Sequence, residues 1–163
     1  MGDLNLARSQ AYRVRMAEDK SGNPLSHHDL QNREHHKDSM LRHGVVISES
    51  MTPTLEKSLC AVCERLLIPR YSVTAFVYNS AEVQADCVID SLDSCVLRFT
   101  SGLVNLMNEK EFQFVASHEL AHFLLGHGAC SQHAADETAE GFISQRAKEL
   151  SADRIGFLGV DNL

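Results

Sequence analysis

Apolar residues are spaced unevenly along the 163-residue chain, and the change in their spacing divides it near residue 50. Residues 1–50 are polar, carry a Ser21-Gly22-Asn23-Pro24 turn, and hold too few apolar side chains to build a core element. Short helices are expected over residues 4–16 and 30–42, in a half-ordered arm appended to the rest. Beyond Pro53, which suits the first turn of a helix, Leu55, Leu59, Val62, Leu66 and Leu67 recur at helical spacing as far as Pro69. Residues 73–78, 83–89 and 95–100 are rich in β-branched or aromatic side chains and are separated by polar turns, a pattern that predicts three strands.

Ser101-Gly102 opens a short apolar turn that runs to Met107. Asn108 and Glu111 then stand at capping-box spacing ahead of a long apolar segment, which predicts a helix over Glu109–Leu125, ended by Gly126 and Gly128. A polar, alanine-rich loop leads to a last helix over residues 136–156. The expectation is one α+β domain over residues 51–163, a small mixed or antiparallel sheet packed on these two helices, with residues 1–50 as a polar arm, partly ordered, for which a regulatory role is the alternative.

The long helix carries His118-Glu119-Leu120-Ala121-His122, an HExxH motif. Residues four apart lie within about 40° of each other around a helix axis, so both imidazoles can reach one ion. Zinc accepts such nitrogens, and two from one helical face provide half of a tetrahedron. Glu119 is rotated by about 100° from His118, beside the ion, where it can take a proton from metal-activated water as a general base. A catalytic zinc needs a third protein ligand. In Lys148-Glu149-Leu150-Ser151-Ala152-Asp153 two carboxylates again stand four apart on one face. Glu149 is the expected third ligand, and Asp153 the carboxylate that receives the other ring proton of a ligating histidine. Nine histidines make a lone HExxH weak evidence, so the second helix carries much of the argument.

Charge and cysteine usage narrow the partners. Fifteen basic and twenty-two acidic residues give a net charge of −7, which disfavours nucleic acid and anionic lipid surfaces. No apolar stretch approaches the roughly 20 residues of a membrane span, and residues 1–15 lack the centre of a secretion signal. Five cysteines in no disulfide-scaffold layout fit reduced thiols and a cytoplasmic location.

Phe99-Thr100-Ser101-Gly102-Leu103-Val104-Asn105-Leu106-Met107, Glu111 and residues 115–127 resemble the HtpX and CAAX-prenyl-protease class of gluzincin peptidases, and Glu149-Leu150-Ser151-Ala152-Asp153-Arg154 resembles its ExxAD segment. The likeness implies a gluzincin fold, a Zn2+ cofactor, endopeptidase activity, and an antiparallel edge strand that binds extended peptide above the zinc helix. This chain lacks the hydrophobic spans of the membrane members, so it is most similar to the soluble minigluzincin type. It also lacks their Asn-Ala-Phe-Ala edge signature near residues 85–88, and the edge is placed at residues 83–89. Two alternatives stand beside this reading: an ImmA/IrrE-type regulatory metallopeptidase, or a silent or latent zinc-stabilised binding module.

Other residues invite chemistry. His127 would face away from His118 if the helix continued, unless Gly126 breaks it first; a core or loop-capping role is the expectation, and transition-state hydrogen bonding, for which His133 and Arg154 also stand as candidates, is the alternative. Cys60 and Cys63 form CxxC on an amphipathic helix, which reads as core thiols. Cys130 reads as a loop thiol. Histidines 27, 28, 35 and 36 would make the arm a latency segment if they covered the cleft, but a solvated tail is the expectation.

Overall fold

The computed structural model describes residues 43–89, 93–127 and 139–160. The expected arm helices, histidines 27, 28, 35 and 36, Gly128, Cys130, His133 and the first turn of the last helix lie outside the described residues.

The fold is α+β: among the described residues there are four α-helices and a four-stranded mixed sheet. The strands are β1 (Gly44–Val46), β2 (Val73–Tyr78), β3 (Ala85–Ile89) and β4 (Cys95–Thr100), and the helices α1 (Pro53–Arg65), α2 (Ser101–Leu106), α3 (Glu109–Leu125) and α4 (Ala139–Leu158). The sheet order is β1-β2-β4-β3, with β2 and β4 parallel in the centre and an antiparallel strand on each side. The residue pattern predicts three strands, and β1 is a fourth that the pattern does not reveal. Three residues are too few to display alternation, yet Ile47 just beyond them is 1% exposed and its N–H donates to the Ala75 carbonyl at 2.8 Å. Ser101–Leu106, expected as a turn, is a helix capped by the Thr100 hydroxyl.

One face of the sheet and helices α1 and α3 enclose the core. α1 has Pro53 in its first turn and buries Ser58, Leu59, Val62 and Cys63. It ends in Leu67 at φ 56°, with Leu67 N–H bonded to the Glu64 carbonyl and Ile68 N–H to that of Cys63, so the last carbonyls are satisfied although the left-handed residue is not glycine. The Arg70 guanidinium holds the Glu56 carboxylate and reaches the carbonyls of Ile47 and Val73, tying α1 to the two strands beside it. Phe99 of β4 and Phe112 of α3 stack at 5.1 Å between centroids, a burial that contributes roughly 1.5–3 kcal/mol per ring.

β3 lies at the edge because the chain leaving β2 crosses over the start of α2. Gly102 N–H donates to the Ser80 carbonyl at 2.9 Å, and the Thr100 hydroxyl donates to the Glu82 carbonyl at 2.7 Å. A side chain at Gly102 would place Cβ 2.5 Å from the Glu82 carbonyl oxygen, so only glycine admits this crossing. The edge strand so formed packs on α3 through Ala85, Cys87 and Ile89. Among the described residues, no helix is long and apolar enough to cross a membrane.

Candidate metal centre

α3 begins where the sequence places it. Asn108 Oδ1 accepts the Glu111 N–H at 3.1 Å, and Glu111 Oε2 accepts the Asn108 N–H at 2.8 Å. Phe112, Ala116, Leu120, Phe123 and Leu124 anchor the helix in the core. The HExxH histidines are left on its other flank, each about one-fifth exposed.

α4 supplies the facing carboxylates, and small residues let it come close. Ala152 and Gly156 are buried against α3, and a Cβ on Gly156 would come within 2.9 Å of the Phe114 ring. Just past the helix, a Cβ on Gly159 would lie 1.7 Å from Ser117 Oγ, and the Gly159 carbonyl is held by Arg65 Nη1 at 3.0 Å. Phe157 closes edge-on against Phe114 at 4.9 Å.

This docking brings three ligand atoms together. His118 Nε2 and His122 Nε2 are 3.2 Å apart, His118 Nε2 and Glu149 Oε2 3.3 Å, and His122 Nε2 and Glu149 Oε2 3.6 Å. Ligands at about 2.0–2.1 Å from a tetrahedral zinc are separated by about 3.3–3.4 Å, so the triangle is one face of such a polyhedron. His118 Nδ1 lies 2.9 Å from Asp153 Oδ1; a neutral ring donating there turns the Nε2 lone pair toward the triangle. Two imidazole nitrogens and a carboxylate oxygen are donors that zinc accepts, and their spacing matches one face of its tetrahedron, so the set fits zinc. Among the described residues, this is the group of three with metal-ligand character.

Glu119 lies beside the triangle. Burial pushes its carboxyl up to about 7, with Asp86 on the edge strand and Glu149 adding to the rise and His118 opposing it. Burial, opposed by Glu149, pulls His122 down, which favours the neutral ring a metal requires. His127, held down to about 4 by burial and by His122, places its Nδ1 3.0 Å from His122 Nδ1. The helix does not continue to His127. Gly126, at φ 69° and ψ 27°, ends the helix in a left-handed residue that turns His127 back onto the last turn. The CxxC pair divides: Cys63 is buried, its thiol pushed up to about 12 by desolvation, whereas Cys60 is exposed beside Glu56, so it is not the core thiol expected.

The family model described as Peptidase family M48 matches residues 91–139. That segment contains β4, α2 and α3, with both histidines and Glu119, and it stops short of Glu149 and Asp153. The match supports the M48, gluzincin-type metallopeptidases and a metallopeptidase function. Searches of curated proteins and of solved structures give no match.

Proposed function

We propose that this M48-type chain is a zinc-dependent endopeptidase in which His118, His122 and Glu149 hold the ion and Glu119 is the general base. The observation that carries the reading is the triangle of two imidazole nitrogens and one carboxylate oxygen, 3.2–3.6 Å on its sides, drawn from two helices. Zinc, when bound, supplies Lewis acidity that polarises a peptide carbonyl and acidifies water.

The chain's own residues do the remainder. Glu119 takes a proton from the attacking water at its carboxylate and returns it to the departing amine, work suited to a carboxyl whose affinity for protons burial has raised. Asp153 holds His118 in the tautomer that frees Nε2. Among the described residues β3 is an edge strand, paired on one side with β4. An extended peptide adding to its free side would gain backbone hydrogen bonds and lie close to Glu119, a mode of recognition that needs no free chain terminus and so suits internal bonds.

The test pairs metal content with turnover of a broad peptide library. Glu119→Gln should keep one zinc per chain and lose at least 10²–10⁴-fold in cleavage, the usual contribution of a positioned acid–base group. His118→Ala should lose the metal. Zinc-loaded wild type that cleaves nothing, or a Glu119→Gln variant that cleaves as well as wild type, would overturn the proposal.

A further inference from the structure

We infer that His127 is a positioning residue for the metal centre, accepting the Nδ1 proton of His122 and so committing the His122 Nε2 lone pair to the ion. The inference rests on the zinc reading above and extends it to a residue outside the HExxH and ExxAD motifs.

A neutral imidazole carries one proton on two nitrogens, and the partner of one nitrogen decides the state of the other. His122 Nε2 faces His118 Nε2 at 3.2 Å and Glu149 Oε2 at 3.6 Å, so it must be bare to ligate. Its proton then sits on Nδ1, and the acceptor at hand is His127 Nδ1 at 3.0 Å, the rings meeting edge-on at 67°. His127 in turn carries its own proton on Nε2. In the reversed arrangement, with His127 donating from Nδ1, the His122 proton would move to Nε2, point into the triangle and block coordination. His127 therefore does for His122 what Asp153 does for His118.

The use of a neutral acceptor has a physical reason. Glu119, Glu149 and Asp153 already surround the two histidines, and Asp86 acts on Glu119 from the edge strand. A further carboxylate would add like charge to this group, whereas an imidazole supplies the lone pair without it. The backbone is built for this placement: Gly126 adopts the left-handed conformation and its N–H is bonded to the carbonyls of His122 and Phe123, so the chain folds back over the ring it orients.

The experiment compares zinc affinity, by competition with a chelator at pH 8, and the histidine tautomers of the zinc-loaded protein by nitrogen NMR. Wild type should show His122 protonated at Nδ1. His127→Ala should bind zinc about 10–100-fold more weakly, the usual cost of losing an acceptor behind a ligating histidine. His127→Asn, whose amide oxygen stands near the place of the ring nitrogen, should recover most of the loss. Metal-free melting of all three should coincide, which separates positioning from folding. His127→Ala with wild-type affinity, an Asn variant no better than Ala, or a His122 proton on Nε2 would each overturn the inference. Unchanged binding in His118→Ala would instead overturn the zinc reading beneath it.

Discussion

The contact between Gly159 and Ser117 controls how closely α4 approaches α3, and with it the position of Glu149 and Asp153. Replacing Gly159 by Ala would put Cβ 1.7 Å from Ser117 Oγ and 2.6 Å from Ser117 Cβ. Rotating the hydroxyl cannot relieve the second contact, and the hydroxyl is itself fixed, fully buried and donating to the Gln113 carbonyl at 2.7 Å. Carbon atoms need about 3.5–4.0 Å, so the end of α4 must retreat by about 1 Å. Overpacking of this kind costs roughly 1–3 kcal/mol. The retreat strains the Arg65 hydrogen bond to the Gly159 carbonyl and, farther up α4, lengthens the 2.9 Å contact from Asp153 to His118. Zinc affinity should therefore fall by about tenfold, the low end for a disturbed orienting contact. Urea denaturation of the metal-free protein and chelator competition read the two effects separately. Adding Ser117→Gly to the Gly159→Ala chain removes the clash and should restore zinc affinity, although glycine within a helix costs about 1 kcal/mol. A Gly159→Ala variant within 0.5 kcal/mol of wild type, the ordinary range of surface changes, and with unchanged affinity would show that this contact does not set the approach of α4.

Asp153→Ala should weaken zinc binding about 10–100-fold, and chelator competition against wild type will show it. In the metal-free protein Glu119 sits at about 7 against an ordinary value of 4.5, so the folded state holds its proton more tightly than the unfolded one. That stabilisation is complete below pH 4.5 and is lost as pH rises through about 7. Metal-free wild type should lose up to about 3 kcal/mol across that window relative to Glu119→Gln, measured by urea denaturation at pH 4.5 and 8. Leu67, 41% exposed and at φ 56°, should gain about 1 kcal/mol on replacement by Gly, seen as a higher denaturation midpoint.

The local pattern of the sequence determined the elements whose signals repeat or cap. Asn108 and Glu111 announced α3, Pro53 and the leucine spacing announced α1, and the alternation of β-branched runs gave β2, β3 and β4. HExxH on a helix also implied that two imidazoles share a face, because the helical angle alone guarantees it. That Glu149 and Asp153 come from a second helix to meet those imidazoles was legible as an expectation, since residues four apart point one way. How close they come was decided by the tertiary structure, where Ala152, Gly156 and Gly159 set the approach. The same holds for β1, whose three residues become a strand by pairing with β2, and for Asp86, which the crossing over Gly102 carries to the edge near Glu119. His127 shows the boundary most clearly. Continued helical geometry would turn it away from the site, and the left-handed Gly126 instead brings it back onto the last turn. Periodicity encodes what neighbours along the chain do to each other; distances between elements depend on the shape left where they pack, which no local pattern contains.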